Sequence, residues 1–163
     1  MTHDGKPVDK APFKQMNVKV HNHQSEVYAM KLNVMMPEQV DKQFLGVKFP
    51  TLVTPRVAGV RCLTLPGGQP VDENKTTIPN HHICNVLKEY GLSGLDGVLT
   101  LEGEVSRKDV IDAVMSEGGE PRFQYYVFDL WNRPQHNYDE RVKSMNYLIS
   151  TPYPTEIQVL LPT

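Results

Sequence analysis

The sequence predicts an α+β domain, and three observations carry that prediction. Helical and strand periodicities occur as separate short blocks along the chain, which is the pattern of helices packed beside a sheet. One block, FQYYVFDL, is dense in aromatic and branched side chains and suits a strand. With 163 residues and 39% hydrophobic composition, the chain is long enough to bury one real core.

The elements follow in order. Residues 1–12, MTHDGKPVDKAP, are polar and proline-punctuated and read as a loose arm, leaving 13–163 as a single domain. EVYAMKLNVM, from Glu26 to Met35, partly alternates as a strand does, and a short helix is expected between Pro37 and Gly46. LVTP and VAGVRCLTL are expected strands. The second puts Val57, Gly59, Arg61 and Leu63 on one face and Ala58, Val60 and Cys62 on the other. PGGQP is a turn.

PNHHICNVLKEYG places Ile83, Val86, Leu87 and Tyr90 on one helical face, with Gly91 where a left-handed cap is wanted. LDGVLTLEGEV is strand-like. In SRKDVIDAVMSEGG, Ser106 and Asp109 form a capping-box pattern over Val110, Ile111, Val114 and Met115. DERVKSMNYLIS is helical by period, with Asp139, Glu140 and Arg141 read as a solvated helix start. EIQVLLP reads as a last strand, and no repeat or linker interrupts the series.

Charge and composition narrow the function. A formal net charge of −2 supplies no general pull toward nucleic acid, which argues against simple DNA coating and leaves nucleic acid a possible but not favoured partner. No signal peptide or membrane span can be found, which predicts a cytoplasmic protein without membrane contact. Cys62 and Cys84 lack metal-type spacing and are expected as free, packed thiols. His21 and His23, with His81 and His82, have no supporting carboxylate or cysteine framework, so they read as surface histidines and no metal is expected. Tyr125, Tyr126, Phe128 and Trp131 could stack a purine, yet aromatic runs in strands are more often core. Ser106, Arg107 and Lys108 read first as a helix start, which is compatible with a phosphate contact.

The blocks FPTLVTPRVAGVRCLT, IPNHHI, GLDGVL, DAVMSEGGEPRFQYYVFDLW and YDERVKSMNYLIS stand in one order. That order resembles the adenylation (nucleotidyltransferase) domain of ATP-dependent DNA ligases of the small bacteriophage type, from about Phe49 to Pro162. The resemblance implies a ligase-type nucleotidyltransferase fold with mainly antiparallel sheets flanked by helices. It also implies a lysine nucleophile in a K-x-D-G-x-R motif, where this chain reads R-V-A-G-V-R.

The departures fall on the chemistry. Guanidinium stays protonated and offers no lone pair, so Arg56 cannot stand in for the attacking amine. Ala58 removes a carboxylate, and Val98 occupies the glutamate position of an L-D-G-E block, although Glu102 and Glu104 lie nearby. Glu73 and Asn74 stand where the resemblance places Ser-Arg, which weakens anion binding there. Lys48 and Lys75 are poorly placed as substitutes. The later E-G and K-x-K motifs and the oligonucleotide-binding domain would follow the last residue given, so a truncated domain is expected.

Taken together, Arg56, Ala58 and Val98 lead to the expectation that the chain is not an enzyme and carries no catalytic residue or cofactor. Gly59, Arg61 and Phe128 are the candidates for residual nucleotide binding. The expected function is an inactive ligase-like phage protein that binds a protein partner, inhibiting a host or defence factor. The alternatives are a nucleotide- or DNA-binding module and one half of a split ligase. Homodimerisation or partner docking through an edge at EIQVLL or FQYYVFDL completes the expectation.

Overall fold

A computed structural model describes residues 32, 34–35, 53–149 and 155–162, all within a compact unit that spans Lys31–Thr163. The expected arm at 1–12, the helix expected at 37–46 and most of the strand expected at 26–35 lie outside the described residues.

Five strands form one mixed sheet in the order β2-β1-β3-β4-β5. They are β1 (Val60–Thr64), β2 (Pro70–Val71), β3 (Leu95–Leu101), β4 (Phe123–Leu130) and β5 (Ile157–Val159). The β1–β2, β1–β3 and β3–β4 pairs are antiparallel, whereas β5 runs parallel to β4. A parallel pair needs a crossover, and the helix Tyr138–Ile149, α3, supplies it. Two further α-helices, α1 (His81–Glu89) and α2 (Arg107–Val114), and a short 3-10 turn at Pro66–Gly68 complete the described elements.

Each helix starts where its cap chemistry dictates. Asn80 Oδ1 accepts from the Ile83 amide at 3.0 Å, opening α1. The Ser106–Asp109 capping box is present at α2, as expected. Gly91 takes φ 59 just after α1, the left-handed stop that its position predicts.

The core lies on one face of the sheet, where Cys62, Leu99, Tyr125 and Val127 meet Ile83, Leu87, Val110, Val114 and Met145. Tyr125 is fully buried and donates its hydroxyl to the Cys62 carbonyl at 3.0 Å. Both cysteines are free and buried, and burial pushes the Cys62 thiol well up.

Some expectations shift. Ile111 and Met115 are each 38% exposed, because α2 is only eight residues long and buries the narrow stripe Val110–Val114. Tyr90 is the cap residue after α1 and is exposed, while Cys84 joins Ile83 and Leu87 in the core. The described part of LVTP has no ladder, and EIQVLLP pairs only over Ile157–Val159. Among the described residues β5 is an edge and β4 lies next to it.

Candidate functional site

Alternation along the strands turns a second set of side chains toward the face opposite the core. Arg61 on β1 pairs in register with Val98 on β3, and Val98 with Tyr126 on β4. Thr100 and Gln124 continue that row. Gly59 is where this face comes closest to its neighbour. A side chain there would put Cβ 2.2 Å from the Leu99 carbonyl oxygen and 2.6 Å from Val98 Cγ1, so only glycine lets the loop lie against β3.

Arg61 is the organising cation of the face. Its Nε donates to Asp96 Oδ1 at 3.0 Å and its Nη2 to Asp96 Oδ2 at 2.8 Å, a two-pronged fork. Nη2 also donates to the Met35 carbonyl at 2.6 Å. The guanidinium carbon lies 5.9 Å from the centre of the Phe128 ring. The hydrogen bonds to Asp96 hold the Arg61 pKa above its ordinary value. Asp96 is completely buried, and desolvation pushes its carboxyl up despite the lowering effect of Arg61.

A second fork lies one strand away. Asp129, 1% exposed, is the register partner of Asp96, and Arg141 from α3 donates to both its oxygens at 2.6 and 3.2 Å. Two carboxylates facing each other across a ladder repel. Here each is clamped by its own arginine. The reading of Arg141 as part of a solvated helix start is therefore corrected. Its side chain is 13% exposed, because the buried Asp129 charge demands a partner.

Farther along the strands, past Tyr126, a cleft of about 830 Å3 opens, lined by Val57, Ala58, Glu102, Glu104, Gln124 and Tyr126 among others. Gln124 donates to Glu102 at 3.2 Å and accepts from Gln158 at 2.9 Å, which links β4 to the loop after β3 and to β5.

The structure brings Arg61 and Phe128 together, places Gly59 against Val98, and sets exposed Ala58 on the cleft wall. Arg56 is exposed, two residues before Ala58. Of the aromatic run, Tyr125 and Trp131 are core, the latter donating its indole N–H to the Thr64 carbonyl at 3.2 Å. Tyr126 and Phe128 are the ones on the open face. DENK is a tight turn in which Asp72 accepts from the Asn74 and Thr76 amides. His82 packs edge-on to Phe123, and His81 is exposed. No three His, Cys, Asp or Glu side chains gather into a metal-binding cluster among the described residues. No described helix is long and apolar enough to cross a membrane.

The partners that sequence reasoning missed are Asp129, Arg141 and Tyr138. Their signal was faint, an acid and an arginine twelve residues apart that only the β4–α3 turn brings together.

No protein-family model matches the chain, and no curated protein matches it. Solved structures do. The crystal structure of Chlorella virus DNA ligase-adenylate is 29% identical at a TM-score of 0.66, covering 77% of this chain and 48% of that one. A second crystal structure of the same ligase-adenylate gives 28% identity and 0.66, over 76% of this chain and 47% of that one. A structure of Lig E DNA ligases, described as binding DNA with a minimal scaffold, matches at 20% identity and 0.53, over 69% and 44% of the two chains. The chain thus spans about half the length of the ligases it matches.

The neighbours support the resemblance read from the sequence. The chain has the fold of the adenylation domain of ATP-dependent DNA ligases. They also correct the expectation that it is no enzyme. The structures it matches at 28–29% identity are DNA ligases, which are enzymes, and Arg56, Ala58 and Val98 alter side chains on a face whose fold still stands.

Proposed function

We propose that this chain is the adenylate-binding core of a DNA-ligase-type nucleotidyltransferase. The observation that supports it is the open face itself. An aromatic ring, Phe128, lies beside a clamped guanidinium, Arg61, two residues along β4 from Tyr126, which with Val57 and Ala58 lines the cleft. A purine takes an aromatic wall by stacking, and the Arg61 fork fixes the cation at its edge without leaving an unpaired carboxylate.

Arg56 acts here as a fixed charge. Its guanidinium keeps its proton, so it attracts a phosphate and forms no bond to phosphorus. Val98 takes its place as apolar surface against Gly59.

Calorimetry with ATP and AMP tests the reading, paired with labelled ATP, magnesium and nicked DNA carrying a 5′-phosphate. Saturable nucleotide binding is expected, with no acid-stable adduct on Arg56. Absence of binding at millimolar nucleotide would sink it, since about 4 kcal/mol is the least a built site supplies.

A second reading, docking of a protein, is favoured by the position of β5. Among the described residues this strand is one of the two sheet edges, and an edge accepts a partner strand by main-chain pairing. A dimer or complex whose formation protects the amides of Ile157–Val159 from exchange is the expected mark of that role.

A further inference from the structure

We propose that Tyr138 and Arg141, at the start of α3, are positioning residues that set Phe128 against Arg61. Phe128 has no partner across the ladder. Asp96 pairs with Asp129 and Gly97 with Val127, so Phe128 is the extra residue of a β-bulge. A bulged residue loses the ladder's hold, and its direction must be set by something else. Bulges of this kind commonly re-aim a side chain beside a site.

The structure supplies the hold from α3. The Tyr138 hydroxyl donates to the Phe128 carbonyl at 3.2 Å. Arg141 clamps the next residue, Asp129, with both prongs. The two holds are themselves joined, because the Arg141 guanidinium carbon stands 5.5 Å from the centre of the Tyr138 ring. Arg141 Nη1 also donates to the His136 carbonyl at 2.7 Å, which ties the β4–α3 turn to the same cation.

The Tyr138 oxygen has one more neighbour, Thr54 Oγ1 at 3.4 Å. Thr54 is two residues before Arg56. One hydroxyl therefore touches the lead-in to Arg56 and the backbone that aims Phe128. Tyr138, Arg141 and Phe128 all stand outside the cleft lining, Phe128 two residues along β4 from Tyr126, which is part of it. Tyr138 and Arg141 act through Phe128. Their effect on ligand binding rests on the adenylate reading given above, while their effect on the Phe128 ring does not.

The test uses the full chain labelled with fluorinated phenylalanine, the Phe128 resonance being assigned by its loss in Phe128→Leu. Tyr138→Phe removes one hydroxyl and keeps the ring under Arg141, and Arg141→Lys keeps the charge but loses the fork. Both variants are expected to shift or broaden the Phe128 resonance with the other phenylalanine signals unmoved. Tyr138→Phe is expected to weaken ATP binding about fivefold, the worth of one net hydrogen bond. A Phe128 resonance at its wild-type position in both variants overturns the proposal. A moved resonance with unchanged ATP affinity overturns its link to binding. If the wild-type chain binds no ATP, the adenylate reading fails, and the fluorine signal still decides the positioning role.

Discussion

The two faces of the sheet solve opposite problems with the same strands. Toward the helices, Leu99, Tyr125 and Val127 are buried among aliphatic side chains, and the polar tip of Tyr125 is satisfied by the Cys62 carbonyl. On the opposite side, Asp96 and Asp129 are as thoroughly buried, yet they carry charge and depend on two arginines. A dry face is insensitive to solution conditions and tolerant of like-for-like exchange. A charged buried face stores its stability in partnerships, and losing one member costs more than losing both.

Breaking one fork gives the largest effect. Arg141→Leu strands the Asp129 charge and is expected to cost about 4 kcal/mol in urea unfolding, whereas the double change Asp129→Leu with Arg141→Leu stays within about 1 kcal/mol of wild type. Equal costs for the single and double variants would show that the charge pair is not what the face depends on.

Next in size is a pair of variants whose pH dependence separates the faces. Leu99→Ala removes core volume and is expected to cost about 3 kcal/mol at every pH between 4 and 8. Arg61→Met acts through Asp96. Burial already holds that carboxyl above its ordinary 3.8, so its contribution is full below that value and is lost as pH rises through the folded one. Removing Arg61 raises the folded value further. The Arg61→Met penalty should therefore grow from pH 4 to pH 7, while a penalty as flat as that of Leu99→Ala would refute the account.

The smallest effect concerns a cap outside both faces. Ser106→Ala removes the α2 capping box and should lower the melting temperature by about 3 °C at neutral pH. Ser106 holds the Asp109 carboxyl below its ordinary 3.8, so this contribution is present above that value and lost as pH falls through the folded one. The difference from wild type should shrink in acid.

Much of the fold was legible because it is local. The Ser106–Asp109 box, the Gly91 stop and the FQYYVFDL strand are short-range patterns, and each stands where the sequence puts it. The ligase-type order of blocks was legible too, and structural neighbours support it. The charge network was hidden because its members lie far apart, Arg61 from Asp96 by 35 residues and Arg141 from Asp129 by 12. Arg141 in particular has the local surroundings of a surface residue, and only the buried acid across the turn draws it inward. Arg56, Ala58 and Val98 do not establish catalytic absence, because the fold that carries them is that of the DNA ligases the chain matches.

The bulge at Phe128 also governs how this strand tolerates insertions and deletions. Side chains alternate, so losing one residue between Phe123 and Val127 would exchange inside for outside along the rest of β4's upstream half and bury Gln124 in place of Tyr125. Losing Phe128 alone would leave every remaining residue on its present side, since it is the surplus member of the ladder. Deleting Phe128 would therefore remove the residue that faces Arg61 without reversing the alternation of the rest of β4.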